Sequence, residues 1–215
     1  MKQWLNLTVI LLLSACGGGD ENKDTTTIEP DKHIETNLEI VQKEQGAWLK
    51  SLPRKDLLSY GFVNSNEFNQ TRIGEPLKVY ALSVSEINSY QNVDDFKIGY
   101  LNEIKYPIII DKQIRSMLTF STKSNKVIRL GEAKIANQLN SIENYLSTTK
   151  GLDIVMVFEE SAPLLFIWQN SFKRLIPLYE ARKALKIDEN LSDISTLDID
   201  KMIPILKEYY NKEGV

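Results

Sequence analysis

Residues 104–123, IKYPIIIDKQIRSMLTFSTK, constrain the fold more than any other stretch of the chain. An apolar run, Tyr106–Ile110, is followed by the polar pair Asp111-Lys112 and then by Ile114, Met117, Leu118 and Phe120. β-Branched and aromatic residues on both sides of a two-residue polar break predict a β-hairpin about a tight turn. Ser124-Asn125 supply the next turn and Lys126–Leu130 a third antiparallel strand, which makes a meander. Such a sheet needs apolar cover, and the flanking segments supply it.

Upstream, Ile34, Leu38, Val41, Trp48, Leu49 and Leu52 recur at broadly helical spacing over Ile34–Leu52; Gly46 weakens the middle and Pro53 ends it. Trp48 on that face reads as a core anchor. A short second helix is expected over Arg54–Tyr60, closed by Gly61. The segment PLKVYALSV, entered through Gly74 and Pro76, is a strand candidate. Downstream, Gly131 closes the meander and residues 133–147 place Ile135, Leu139, Ile142 and Leu146 on one helical stripe. Asp153–Phe158 and Pro163–Trp168, split by Glu159-Glu160-Ser161-Ala162, predict a second hairpin. Lys173–Leu178 adds an edge strand, because Pro177 has no N–H to give a ladder. Helices follow over Tyr179–Leu185 and Ile199–Asn211, the last capped by Asp198 or Asp200. The expected fold class is α+β: an antiparallel sheet of hairpins and meander packed against helices, with the helices on one face. Strand and helix do not alternate as a doubly wound parallel sheet requires, and the two hairpin blocks leave room for a loose duplication.

The N-terminus speaks of location. Lys2, an apolar run from Trp4 to Leu13 and small residues up to Cys16 have the layout of a secretory signal. The run is about half the roughly 20 residues that a spanning helix needs. Leu13-Ser14-Ala15-Cys16 resembles the lipobox of bacterial lipoproteins at all four positions. That resemblance covers only the first sixteen residues and implies an anchor, not a fold or an activity: cleavage between Ala15 and Cys16, a diacylglycerol on the Cys16 thiol, and often an acyl chain of palmitate type on the new N-terminus. Two or more chains hold a protein stably on a membrane, where one does not. Gly17 in place of an aspartate implies, by the same family's sorting rule, the outer membrane; Asp20 and Glu21 are a weak sign of surface export. The expected division is thus a signal peptide over 1–15, a lipidated flexible tether over 16–32 and one globular domain over 33–215. The tether, ending near Pro30, is polar and glycine-rich at its start, as a flexible spacer is.

Removing residues 1–15 takes Lys2 from the 26 basic residues and leaves 25 against 29 acidic, a net charge near −4. No basic stripe invites nucleic acid. Cys16 is the only cysteine and His33 the only histidine. Disulfides, a zinc site and a histidine-based triad are therefore not expected, and no cofactor is. Asp188, Asn190 and Ser192 space oxygens like the start of a calcium loop, but Asp193 and Ile199 stand where glycine and glutamate are required, so an inter-helix turn is the reading. Glu159-Glu160 and Asp94-Asp95 are adjacent carboxylates expected to be solvated. No nucleophile elbow or phosphate loop occurs, and among many serines and lysines no Ser-Lys pair stands out. Tyr209-Tyr210 and Phe166–Trp168 with Phe172 are the aromatic concentrations; core or helix packing is the reading for both, with a groove for peptide, lipid or glycan as the alternative.

These residues point away from catalysis. The leading expectation is a lipid-anchored envelope module for a protein or peptide partner, joined to the membrane through Cys16 and without nucleic acid. A lipid or small-ligand carrier with an internal cavity is the alternative, and a hydrolase with an unrecognised site the third.

Overall fold

The computed structural model describes residues 32–146, 151–157, 163–187 and 198–213. The chain divides into two units, Met1–Pro30 and Asp31–Val215, and the described residues belong to the second. The signal segment, Cys16 and nearly all of the tether lie outside them. Helix α1, Lys32–Ser51, starts at the residue where the tether was expected to end, and His33 is in its first turn. Among the described residues no helix is long and apolar enough to cross a membrane.

After α1 the chain makes two 3-10 helices, Arg54–Tyr60 and Ser65–Gln70. Strands β1 (Arg72–Ile73) and β2 (Leu77–Leu82), helix α2 (Val84–Ser89) and a 3-10 turn at Val93–Asp95 follow. The meander is β3 (Gly99–Ile110), β4 (Gln113–Ser121) and β5 (Lys126–Gly131). Helix α3 (Ala133–Leu146) leads to β6 (Leu152–Val157), β7 (Leu164–Gln169) and β8 (Arg174–Pro177), then α4 (Tyr179–Ala184) and α5 (Ile199–Glu213).

The predicted α+β class holds. Among the described residues eight strands form one sheet in the order β5-β4-β3-β2-β6-β7-β8, with β1 beside the far half of β3. The β3–β4 turn is the one expected from the sequence: Asp111 and Lys112 both have positive φ, 49° and 65°, the twist that a two-residue hairpin needs. Pro177 ends β8, the edge strand. Pro107 sits inside β3 because its missing N–H falls where the neighbour changes. Leu77 of β2 pairs with Lys105, Ile73 of β1 pairs with Ile108, and between them Gly74 donates its N–H to the Pro107 carbonyl at 2.8 Å. A Cβ on Gly74 would come within 3.1 Å of the Pro107 ring.

Two features differ from the sequence expectation. All pairings are antiparallel except β2 with β6, whose register runs from Val79↔Ile154 to Leu82↔Val157. This parallel seam joins the meander β3-β4-β5 to the meander β6-β7-β8. Helices also cover both faces of the sheet, not one. Residues 116–120 of β4 are buried without interruption, although alternate side chains point to opposite faces. Leu118 and Phe120 pack in one core with Val41 and Leu49 of α1 and with Leu57 and Phe62. Met117 and Ile114 pack in the other with Ile135, Ala136 and Leu139 of α3. Phe166, Ile167 and Trp168 of β7 are likewise buried in succession. Strands buried on both faces lose the strict apolar–polar alternation, which is why these runs read as continuous.

Candidate functional site

A groove of about 330 Å³ opens where the C-terminal half of α1 meets the two 3-10 helices. Local sequence sets each wall. Pro53 stops α1 and starts the first 3-10 helix with φ −62° and ψ 124°. Gly61 ends that helix at φ 89°, its N–H bonded to the Leu58 carbonyl at 3.1 Å. A Cβ there would lie 1.8 Å from the Arg115 carbonyl oxygen of β4, so only glycine lets the turn rest on the sheet. Phe62 then buries completely and meets the Phe68 ring edge-on at 5.2 Å. The second 3-10 helix is fixed three ways. Asn64 caps it by accepting the Asn66 N–H at 2.9 Å. Glu67 accepts the Val63 N–H at 2.6 Å and pairs with Arg115 at 3.0 Å. Gln45 of α1 donates to Thr71 Oγ1 at 2.8 Å.

The groove so built has apolar walls from Leu49, Leu52, Leu57 and Phe68, neutral polar groups from Ser65 and Asn69, and the cations Lys50 and Arg54; Gly46 completes the lining. Among the described residues no aspartate or glutamate lines it. The segment that builds two of its walls also carries Leu58, 76% exposed, and Val63, 63% exposed.

A second polar cluster lies on the sheet. Asp153 of β6 accepts the Lys78 N–H at 2.9 Å, extending the β2–β6 seam by one rung through a side chain. Burial pushes the Asp153 carboxyl above its ordinary range, and the Lys78 N–H bond and the nearby Lys78 charge oppose that. Tyr80 and Tyr100 stack tilted with centroids 5.7 Å apart. Burial, reinforced by Asp153, raises the Tyr80 phenol to about 12. Tyr106, fully buried beneath α1, is raised to about 12 by burial and by Tyr100, and its hydroxyl has no hydrogen-bond partner among the described residues. Asp153, Tyr80 and Tyr100 are accounted for by strand pairing and ring packing.

The residues singled out from sequence are mostly structural here. Trp48 is half-buried against the core beneath α1. Phe166–Trp168 and Tyr210 are buried, and Tyr209 packs on Tyr210 at 5.1 Å. Phe172 is exposed and carries the Arg174 guanidinium 5.1 Å from its ring. Asp94 is exposed in the 3-10 turn before β3. Glu159-Glu160 and Asp188–Asp193 lie outside the described residues, as do Ala15 and Cys16. Among the described residues no three His, Cys, Asp or Glu side chains meet as a metal would require. One lysine does face a hydroxyl: Lys105 Nζ is 3.2 Å from Thr119 Oγ1 and 2.5 Å from Glu132. Thr119 is fully buried and Lys105 is 4% exposed, so the group braces the sheet where no substrate reaches.

Sequence reasoning missed Lys50, Arg54, Ser65 and Asn69, which gain meaning only when three segments meet. The signal that could have found the place was Gly46, a helix-weakening residue in the middle of a helix. Compared with known proteins, the chain matches no family model, no curated protein and no solved structure.

Proposed function

We propose that this chain is a lipid-anchored cell-envelope protein whose folded domain binds a protein or peptide partner and acts by binding, not by covalent chemistry. The anchoring half of this reading comes from Leu13-Ser14-Ala15-Cys16, with cleavage after Ala15 and acylation of Cys16, and Gly17 in place of an aspartate supports delivery to the outer membrane, facing the periplasm or the cell surface. The binding half is carried by one observation: the groove between α1 and the two 3-10 helices, apolar-walled and bearing the cations Lys50 and Arg54. Recesses with apolar walls and a few placed polar groups are where proteins take ligands. The groove's volume also falls at the low end of the range for small-molecule sites, about 300–1,000 Å³. Its apolar walls are the outer edge of the α1-side core and its polar residues Ser65 and Asn69 are exposed, however, which favours a partner's segment over an enclosed cargo.

Intact mass and membrane fractionation of the wild-type chain against Cys16→Ser, expressed in a Gram-negative host, test the anchor. The wild type is expected to gain the mass of its acyl chains and to float with the outer membrane, and the variant to do neither. Equal unlipidated mass and solubility for both would overturn the anchor and leave a freely diffusing secreted domain.

A further inference from the structure

We infer that the groove receives an apolar segment bearing carboxylates, presented by a protein partner; this rests on the groove being the binding site. Three observations carry it. The first is Gly46. Glycine inside a helix costs roughly 0.5–1 kcal/mol relative to alanine. Packing does not require it here, because a Cβ at Gly46 would meet nothing within 4 Å. The glycine's effect is to leave the groove open along α1, and an unfilled wall matters only if something enters.

The second is charge. Lys50 and Arg54 are exposed, and neither has an ion-pair partner among the described residues. The nearby Glu67 is already held by Arg115 and by the Val63 N–H. A recess with two cations that find no carboxylate among the described residues, on a chain whose net charge is −3, complements an acidic partner. The third is shape. Ser65 and Asn69 offer neutral donors and acceptors inside a concave site, which suits a peptide backbone; a bilayer meets convex surface and would leave them unpaired.

The test uses the full chain with Cys16→Ser, so that the anchor plays no part in it. The probe is a capped, fluorescein-labelled octapeptide alternating leucine and glutamate; its control carries lysine for glutamate. Binding is read by anisotropy for the parent chain, for Gly46→Leu and for Lys50→Glu with Arg54→Glu. Circular dichroism and urea midpoints confirm folding. Gly46→Leu should hold or raise the midpoint, since leucine is the better helix former. The expected result is saturable binding of the acidic probe, weakened at least about tenfold by either set of substitutions and in the lysine control. If the lysine peptide binds as well and Gly46→Leu abolishes it, the inference fails while the groove remains the site. If no peptide binds, or Gly46→Leu changes nothing, both fail. Binding to phosphatidylglycerol vesicles that Lys50→Glu with Arg54→Glu removes, with no peptide bound, would make the membrane the occupant and overturn the inference.

Discussion

The cations at the groove and the lysine within the sheet meet opposite fates. Lys105 is buried, and its charge is answered by Glu132 at 2.5 Å and by Thr119 at 3.2 Å. Arg129 reaches the same carboxylate from the surface at 3.6 Å. Lys50 and Arg54 are exposed beside an apolar recess and are answered by no carboxylate among its lining residues. A buried charge without a partner is strongly unfavourable, so folding itself demands the Lys105 arrangement. Nothing in folding demands two cations at the groove. The contrast separates residues that the fold needs from residues available for a partner.

The largest expected effect comes from breaking the buried pair. Glu132→Ala leaves Lys105 uncompensated and should cost about 3 kcal/mol or more in urea unfolding. Adding Lys105→Met should recover most of that loss, whereas Lys50→Ala with Arg54→Ala should leave the midpoint where it was. A small loss from Glu132→Ala would erase the distinction between the two regions. Next comes Gly61→Ala, whose Cβ would strike the Arg115 carbonyl at a φ of 89°. It should cost on the order of 2–3 kcal/mol and displace the groove wall formed by Leu57. An unchanged midpoint would mean that the turn does not rest on β4 in solution.

The smallest effect sharpens the comparison with a third charge. Asp153 is mostly buried like Lys105 but is answered mainly by a backbone N–H, and burial raises its carboxyl above the ordinary 3.8. Between the unfolded value and the raised folded value the native state holds more protons than the unfolded state. Stability from this group therefore falls as pH rises through that window, and its cost is complete above the folded value. Asp153→Asn keeps an oxygen for the Lys78 N–H without the charge. It should raise the urea midpoint at neutral pH, with the gain shrinking as pH falls toward 3.8. A gain that does not change with pH would show that charge burial is not its cause.

How much of this was legible depends on how far along the chain each contact reaches. The hairpin about Asp111-Lys112 was readable because turn chemistry and apolar runs are adjacent in sequence. The short helix closed by Gly61 was readable from Pro53 and the glycine. The β2–β6 seam was not, since it joins residues some 75 positions apart with no local signal. Cover on both faces was hidden because a continuous apolar run suits several kinds of buried segment. The aromatic clusters at Phe166–Trp168 and Tyr210 could not be sorted into core or ligand platform until burial put them in the core.

By itself the sequence determined the α+β class, the order of the long strands and of helices α1, α3, α4 and α5, the turn at Asp111-Lys112 and the stops at Pro53 and Gly61. All of these follow from backbone preferences and apolar periodicity within a few residues. Only the tertiary structure decided which side chains share a surface. It brought Gly46 and Lys50 of α1, Arg54 of the first 3-10 helix and Ser65 of the second around one recess, and it sent Lys105 inside to meet Glu132. Whether a lysine braces a fold or waits for a partner depends on burial and on the nearest carboxylate, and both are set by contacts between segments distant in sequence.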